Sequence, residues 1–285
     1  MKLKLKKLDP ANITSNGLLG CFIVLIGRRN SGKTTLMKDL IFHMAPRLDV
    51  AIGISPTDDT NLSMQTVIPP SFVYREADDK LLMSLMESQR RRWATGKGPE
   101  LLLVLDDVAW DTAFFNSKAF KQLAFNGRHM HITVILCMQY ALCIPPPIRA
   151  QVDLCITMSD HLLTNRKKLF EQFFGMMKFE EFMQIMDKST NGFECLCLWN
   201  RSRSNELDTM LFWYLANLED SENARVGKSA YWKLSEHYGR NTFGFAPLND
   251  TQEQQKIEDV SPELGQPIDT IVKAGSDGKT VVIKR

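Results

Sequence analysis

Eight consecutive residues, Gly27 to Thr34, have the composition and spacing of a loop that binds phosphate groups. They read GRRNSGKT and match GxxxxGK[ST], a pattern in which the glycines let the main chain approach a phosphate closely. An apolar run precedes the loop and a helical pattern follows it, so backbone N–H groups and a helix N-terminus would face one anion. The residues predicted to bind a nucleoside triphosphate are Gly27, Asn30, Ser31, Gly32, Lys33, Thr34 and Thr35.

Two side chains of this loop have predicted chemical roles. Lys33 would place its ammonium group between the β- and γ-phosphates, and the Thr34 hydroxyl would be a ligand of Mg²⁺. The alternative is an accidental glycine-rich turn. Both the complete match and the strand, loop and helix context argue against that alternative.

Three further polar residues stand at the ends of apolar runs. Asp106 and Asp107 directly follow LLLVL, and Gln139 directly follows ITVILCM. Because the carboxyl ends of parallel strands face one crevice, we predict that Asp106 holds Mg²⁺ and that Asp107 is the general base for an attacking water. The Gln139 amide would orient that water and donate to the γ-phosphate. The alternatives are a helix N-cap or solvated acid for Asp107 and a polar strand end for Gln139.

The elements that must position these residues follow from hydrophobic patterning. Apolar runs predict strands over 21–26, 49–54, 101–105, 132–138, 152–158 and 192–199, after a basic N-terminal strand. Helical spacing predicts helices over 33–44, 77–93, 112–125, 162–174 and 179–186. Strands that alternate with helices imply parallel βαβ units, and hence an α/β fold with a doubly wound sheet.

Composition sets outer limits on function. The chain has 285 residues, 44% hydrophobic residues and a net charge of +2, as in an ordinary globular protein with no overall signature of nucleic-acid binding. Its six cysteines form no CxxC pair and lie mostly in apolar runs, which predicts buried thiols in a reducing compartment. No apolar run approaches the roughly 20 residues that span a bilayer. We therefore expect a soluble, intracellular protein.

The motifs resemble those of the virion DNA-packaging ATPases of poxviruses and giant DNA viruses, in the FtsK/HerA superfamily. The resemblance runs from about Cys21 to about Tyr238. It rests on GRRNSGKT, the Ser55-Pro56-Thr57 turn, LLLVLDD, the Asn126-Gly127-Arg128-His129 stretch, the strand before Gln139, and IPPPIRAQVD. Many FtsK/HerA relatives have Glu where this chain has Asp107, which is one methylene shorter.

The resemblance implies a RecA-like P-loop NTPase core, with a mostly parallel sheet sandwiched by helices. It also implies a homo-oligomeric ring that uses ATP and Mg²⁺ to drive double-stranded DNA into a preformed capsid, with a capsid or membrane protein as partner at the packaging vertex. Ring ATPases commonly complete each site with an arginine from a neighbouring subunit, for which Arg128 and Arg149 are the candidates. An ordinary surface arginine or a structural ion pair is the alternative for each.

Contact with DNA is the least specific part of the interpretation. Arg90 to Arg92, the cluster from Lys2 to Lys7, and Arg201 with Arg203 could neutralise backbone phosphates, although solvated faces explain these groups more simply. Sequence-independent backbone contact is all that a translocase requires. His129 and His131 have no partner ligands in the sequence pattern that would favour a metal site.

Three rival functions remain open at this level. They are a cellular or plasmid HerA-like DNA translocase, a P-loop phosphotransferase that acts on a small metabolite, and a nucleotide-dependent assembly protein with no DNA role. The favoured packaging function would place the protein in the host cytoplasm, in the viral factory or in association with the virion. Polar composition after 245 predicts an ATPase domain over 1–245 and a loosely held tail over 246–285, with one late β-like patch at 280–283.

Overall fold

The computed structural model of the protein describes residues 2–56, 62–108, 112–140, 144–238 and 279–282. Its strands are β1 Lys2–Lys7, β2 Phe22–Ile26, β3 Val50–Ile54, β4 Val73–Tyr74, β5 Leu101–Asp106, β6 Ile132–Met138, β7 Leu154–Thr157, β8 Cys195–Trp199, β9 Leu211–Tyr214 and β10 Lys279–Val282. Its α-helices are α1 Lys33–Met44, α2 Asp79–Ala94, α3 Thr112–Asn116, α4 Lys118–Asn126, α5 Pro146–Arg149, α6 Leu163–Leu169, α7 Phe179–Ser189, α8 Leu207–Met210, α9 Leu218–Asn223 and α10 Ser229–Tyr238. The 3₁₀ turns are Ala45–Arg47, Pro70–Phe72 and Gly127–Met130, and Phe170–Phe174 is a π-helical turn.

The described strands form one sheet in the order β10-β1-β9-β8-β7-β2-β6-β5-β3-β4. The half from β7 to β4 is parallel throughout. In the other half, β8 runs antiparallel to both β7 and β9, β9 pairs in parallel with β1, and β10 pairs antiparallel with β1. The sheet is therefore mixed but mostly parallel.

The antiparallel direction of β8 corrects the expectation that every strand belongs to a parallel βαβ unit. A single crossover helix carries the chain to the opposite edge of a sheet, as α1 does between β2 and β3. Between β7 and β8 the chain instead forms two successive helices, α6 and α7, and returns to the edge that it left. Thr157 at the end of β7 consequently lies opposite Leu196 near the start of β8.

Helices cover both faces of the sheet, which explains the continuous apolar runs of its central strands. Alternate residues of β2 enter two different buried clusters. Ile23 shares one cluster with Leu36 of α1, whereas Val24 shares the other with Leu82 of α2 and Phe120 of α4. This three-layer arrangement fixes the ends of the central strands as a rigid edge.

Two predicted helices are interrupted. The helix predicted over 112–125 is divided between α3 and α4, because the Ser117 hydroxyl accepts a hydrogen bond from the Phe120 N–H at 3.1 Å and caps α4. The helix predicted over 162–174 changes at Phe170 from an α-helix to a π-helical turn. The strand predicted over 192–199 begins only at Cys195, after a turn.

Strand β9 and helix α10 were not predicted. The strand is only four residues long, and LFWY has the same apolar character in a helix or a strand. The late β-like patch is present as β10, one residue earlier than predicted. The rest of the predicted tail, Thr57 of the Ser55-Pro56-Thr57 turn and Cys143 lie outside the described residues.

The described cysteines, at 21, 137, 155, 195 and 197, are free thiols and all are buried. This agrees with the prediction of buried thiols rather than a disulfide framework. Within the described parts of the chain, no helix combines the length and the hydrophobicity that crossing a membrane would require.

Candidate active site

The carboxyl-terminal ends of the parallel strands meet at one edge of the sheet, here called the C-edge. Gly27 directly follows β2, Gln139 directly follows β6, Met158 directly follows β7, and Asp106 ends β5. The Gly27 N–H donates to the Met138 carbonyl at 3.0 Å, and the Met158 N–H donates to the Ile26 carbonyl at 3.0 Å. These bonds extend the hydrogen-bond ladder past the strand ends. They hold the start of the phosphate loop beside the end of β6 and the residue that follows β7.

The predicted phosphate loop joins β2 to α1 in a conformation that depends on left-handed backbone angles. Asn30 has a φ of 59°, and Gly32, which caps α1, has a φ of 92°. No side chain caps the first turn of α1 and no acidic residue lies in it. The first N–H groups of α1, which have no carbonyl partner within the helix, therefore remain available to an anion.

Gly27 is required by packing. A Cβ built on this residue would lie 2.5 Å from the Ser31 Oγ and 2.6 Å from the Met158 Sδ, closer than real Cβ contacts allow. The Ser31 hydroxyl itself donates to the Arg28 carbonyl at 2.8 Å and lies 3.0 Å from the Met158 sulfur. The loop is thus packed tightly against the residue that follows β7.

Lys33 folds back over this loop. Its Nζ donates to the Gly27 carbonyl at 2.8 Å and lies 3.5 Å from the Arg28 carbonyl. The ammonium group is only partly buried, and a phosphate oxygen could replace either neutral carbonyl as its acceptor. Thr34 is exposed and Thr35 partly buried in the first turn of α1.

Lys33, the first residue of α1, and Asp106 lie on the same face of the sheet, because Cys137, which pairs with Asp106 in the register, shares a buried cluster with Leu36 of α1. Burial raises the pKa of this thiol well above its ordinary value; Asp106 and Asp107 raise that pKa further, whereas Lys33 lowers it. Asp106 also lies directly opposite Cys137 in the register of β5 and β6. The predicted lysine and Asp106 therefore share one face of the sheet at the C-edge.

Asp107 and Gln139 are in direct contact. The Gln139 Nε2 donates to the Asp107 Oδ1 at 3.3 Å, and both side chains are partly exposed. Asp107 has a φ of 53°, an unusual backbone angle for a residue with a side chain. The strained turn after β5 thus directs a carboxylate toward the amide at the end of β6.

A cleft continues from this cluster toward β7 and α6. Its polar and charged lining includes Gln139, Tyr140, Asp160, Asn165 and Lys168, and Gly27 forms part of its floor. Beside the loop, the Arg28 Nη2 lies 2.6 Å from the His161 Nε2. Sequence reasoning did not select the residues after β7, because no motif marks them.

The oxygen ligands available at this edge suit a magnesium ion. Mg²⁺ prefers carboxylate and other oxygen ligands and usually retains several waters. The Asp106 carboxylate at the end of β5 and the Thr34 hydroxyl at the start of α1 supply two such oxygens beside the predicted phosphate site. The residues present therefore fit this ion.

A second carboxylate and histidine cluster lies away from the loop. It consists of Asp39, His43 and Asp220, whose potential ligand atoms lie within 4.8 Å of one another. Both oxygens of the buried Asp39 already accept hydrogen bonds, from the Tyr214 hydroxyl at 2.6 Å and from the Asn217 N–H at 3.1 Å. Asp39 therefore joins α1 to the segment after β9.

The two arginines predicted to act in trans do not contact the residues gathered around the phosphate loop. Arg128 is exposed in the 3₁₀ turn before β6. Burial raises the pKa of Asp153, which directly precedes β7, and Arg128 is one of the groups that lower that pKa. Arg149 ends α5, donates to the Ile144 carbonyl at 3.1 Å, and has a pKa lowered by burial. Neither is brought to the phosphate loop of its own chain.

Of the remaining basic and histidine candidates, Arg201 and His131 have local contacts. The Arg201 Nε lies 3.7 Å from the Asp153 carboxylate. The His131 Nδ1 lies 2.6 Å from the Glu100 carboxylate, and its ring stacks on Trp93. Arg90 to Arg92 are exposed at the end of α2.

Comparison with known proteins identifies relatives in large DNA viruses. The sequence is 29% identical over 226 residues to an uncharacterised protein of Invertebrate iridescent virus 3, and the match covers 76% of this chain and 87% of the relative. An uncharacterised protein of Acanthamoeba polyphaga mimivirus is 26% identical over 234 residues, covering 78% of this chain and 82% of the relative. No protein-family model matches the sequence.

Solved structures share the fold. The genome packaging NTPase B204 from Sulfolobus turreted icosahedral virus 2, in complex with AMPPCP, superposes with a TM-score of 0.51 at 18% identity, covering 70% of this chain and 99% of B204. The pCW3 conjugation coupling protein TcpA, with ATPγS, gives a TM-score of 0.53 at 14% identity and covers 76% of this chain and 67% of TcpA. The predicted α/β fold with a mostly parallel sheet and flanking helices is confirmed, and a viral genome-packaging ATPase is among its structural neighbours.

Proposed function

We propose that this protein is an ATPase that uses Mg²⁺-dependent ATP hydrolysis to move double-stranded DNA during virion assembly. The observation that carries the proposal is the convergence of three distant segments at the C-edge. The phosphate loop, the end of β5 and the end of β6 bring Lys33, Asp106, Asp107 and Gln139 into one region.

The loop supplies the binding of the phosphates. Main-chain N–H groups of the loop and of the first turn of α1 surround the β-phosphate, with Asn30, Ser31 and Thr35 part of this enclosure. Lys33 exchanges its contact with the Gly27 carbonyl for the β- and γ-phosphate oxygens. A charged acceptor binds an ammonium group more strongly than a neutral carbonyl does, which favours the exchange.

Thr34 and Asp106 are the residues that would hold Mg²⁺. When bound, the ion offsets the negative charge of the β- and γ-phosphates. Asp106 would present a carboxylate to the ion from the end of β5, and Lys33 would present an ammonium group to the phosphates from the start of α1.

Asp107 and Gln139 would prepare the attacking water. Gln139 donates its amide N–H to the Asp107 carboxylate, and its amide oxygen can accept a hydrogen bond from a water. The second carboxylate oxygen of Asp107 can take a proton from that water as it attacks the γ-phosphate. Their direct contact places the carboxylate and the amide side by side for this role.

Two observations support a DNA client and a viral role. The sequence relatives belong to an iridescent virus and a mimivirus, and one structural neighbour is a genome packaging NTPase. In a ring, Arg128 or Arg149 would act in the site of an adjacent subunit rather than in its own, because neither contacts the loop of its own chain. A capsid or membrane protein would anchor the ring at the packaging vertex.

A plasmid or cellular DNA translocase is a second candidate, favoured by the likeness to a conjugation coupling protein. Its chemistry at the C-edge would be the same, and only the client DNA would differ. A small-molecule phosphotransferase and an assembly protein with no DNA role remain rivals from other classes.

The decisive experiment is phosphate release by the purified protein with Mg²⁺ and ATP, with and without linear duplex DNA. The proposal predicts that duplex DNA of any sequence accelerates hydrolysis, and that Lys33→Met removes hydrolysis under both conditions. Phosphate transfer to a small acceptor without DNA would instead establish a phosphotransferase. Hydrolysis that is indifferent to DNA would contradict the motor function.

A mixing experiment tests the trans arginine. If Arg128 or Arg149 acts across a subunit boundary, its alanine variant should be inactive alone but regain partial activity when mixed with Lys33→Met. In a mixed ring, an intact loop from one variant meets an intact arginine from the other. Mixtures that stay inactive would contradict the trans role of that arginine.

A further inference from the structure

A phenylalanine side chain at the C-edge is exposed to solvent. Phe193 is 70% exposed, more than any other phenylalanine among the described residues. Burial of an aromatic ring is strongly favourable, and phenylalanine is among the residues most often fully buried. An exposed ring in this position therefore calls for an explanation.

Phe193 lies in a tight turn whose backbone angles are strained for a residue with a side chain. Gly192 and Phe193 have φ values of 59° and 69°, and the Glu194 N–H donates to the Asn191 carbonyl at 3.0 Å. These are the features of a type I′ turn, which normally has small residues at both central positions. A bulky residue with positive φ is strained, and such strain concentrates at sites that hold ligands.

The turn also rests on fixed contacts. The Asn191 Nδ2 donates to the Asp187 carbonyl at 2.8 Å, and the Thr190 hydroxyl donates to the Met186 carbonyl at 2.8 Å, so the turn is tied to the end of α7. Its other end continues directly into β8. The position of Phe193 is thus set by two regular elements.

The ring lies beside the phosphate loop. A Cβ built on Gly32 would lie 3.3 Å from the Cδ1 of Phe193, so the aromatic side chain is a direct neighbour of the residue that caps α1. The turn precedes β8 on the β7 side of the loop, whereas Asp106 and Asp107 lie on the opposite side, at the end of β5. A nucleotide whose γ-phosphate faces the acids would extend its nucleoside away from them.

We propose that Phe193 is the platform on which the planar base of the bound nucleotide stacks. The proposal rests on the proposed nucleotide-binding function and adds the part of the ligand that the phosphate loop does not recognise. Every base has a π-face, so stacking on Phe193 gives affinity for a nucleotide over a bare polyphosphate, whichever base it has. The strained turn keeps the ring exposed and oriented before the nucleotide arrives, which reduces the ordering required on binding.

The test compares a ligand that has a base with one that has none. Affinities for ATP and for inorganic tripolyphosphate would be measured by calorimetry on the full chain, for wild type, Phe193→Ala and Phe193→Tyr. Phe125→Ala is the matched control, since Phe125 is 40% exposed on α4. Lys33→Met identifies binding that depends on the loop.

We expect Phe193→Ala to weaken ATP binding by at least about fivefold, the lower end of what loss of one stacked base produces. Its tripolyphosphate affinity should be unchanged, Phe193→Tyr should retain the affinity for ATP, and Phe125→Ala should match wild type. Unchanged ATP affinity in Phe193→Ala would overturn the assignment of Phe193 as the base platform. Binding that is lost in Lys33→Met would still support the phosphate loop as the site of nucleotide binding. Equal losses for ATP and tripolyphosphate would also overturn the assignment of Phe193, because Phe193 would then only support the loop. Wild-type protein that binds neither ligand would show instead that the proposed function is wrong.

Discussion

The two ends of the parallel strands differ in the residues that they carry. At the C-edge, Asn30, Asp107 and Phe193 have positive φ values, and each side chain is exposed or partly exposed. At the opposite edge, here called the N-edge, three pairs of charged side chains lie close together within the chain. Its pairs are Glu100 with His131 at 2.6 Å, Lys228 with Asp49 at 2.8 Å and Arg201 with Asp153 at 3.7 Å.

This difference follows from the direction of the parallel strands. Each crossover helix begins at the C-edge and ends at the N-edge, so unpaired N–H groups collect at the first and unpaired carbonyls at the second. The C-edge is therefore suited to an anionic ligand, and the N-edge needs internal pairing to be stable. Substitutions at the C-edge should mainly affect nucleotide chemistry, and substitutions at the N-edge should mainly affect folding.

The largest effect is expected for Lys33→Met at the C-edge. Turnover of ATP should fall by at least about 10³-fold, because a preorganised charge that stabilises the transferring phosphate is lost. Phosphate release measures the rate, and Lys38→Ala is the control, since Lys38 lies on the same helix but bonds to Thr66 at 2.9 Å. Similar activities for the two variants would contradict the proposal that Lys33 binds the phosphates of ATP at the C-edge.

Asp107→Asn should separate binding from chemistry. The substitution retains a side chain of the same size beside Gln139 but removes the proposed base, so hydrolysis should fall by about 10²-fold. Affinity for ATP should remain close to that of wild type, which calorimetry would check. Loss of affinity in parallel with rate would show that Asp107 helps to hold the nucleotide instead.

Gln89→Ala, at the N-edge, should lower the stability of the fold without changing the affinity for ATP. Gln89 is 2% exposed, and its Nε2 donates to the Pro99 carbonyl at 3.0 Å and to the Met130 carbonyl at 3.1 Å. Loss of this buried donor should lower the free energy of unfolding by about 1–3 kcal/mol, as measured by denaturant titration. Glu87→Ala, at an exposed position of the same helix, should be nearly neutral. A change in ATP affinity in Gln89→Ala would mean that the two edges are not independent.

Asp153→Asn, also at the N-edge, should change how the free energy of unfolding depends on pH. The change should be smaller than the loss of stability in Gln89→Ala. Burial raises the pKa of Asp153 above its ordinary value of 3.8, although the Phe22 N–H and Arg201 act in the opposite direction. A raised folded-state pKa gives stability that is fully present below the unfolded pKa and is lost as pH rises through the folded pKa. The free energy of unfolding of wild type, relative to Asp153→Asn, should therefore fall as pH rises from below 3.8. A difference that does not change with pH would exclude this effect.

The sequence predicted the C-edge better than the rest of the molecule, for physical reasons. The phosphate loop is local in sequence, and Asp106 and Gln139 each end an uninterrupted apolar run, so parallel strands were enough to bring them together. The antiparallel β8 was missed because two helices in succession look the same as separate crossovers in a hydrophobic pattern. Phe193 was missed because its role depends on a turn that interrupts a predicted strand and on contact with Gly32, which is far away in sequence.

In the proposed mechanism, the phosphate loop and Asp106 together hold one nucleotide and its metal ion. Calorimetric titration of the purified protein with a non-hydrolysable ATP analogue, with and without Mg²⁺, tests that claim in wild type and in Asp106→Asn. We predict that Mg²⁺ strengthens binding in wild type and that Asp106→Asn loses most of this Mg²⁺ dependence but still binds the nucleotide. The same Mg²⁺ dependence in both proteins, or no binding by wild type, would contradict the account.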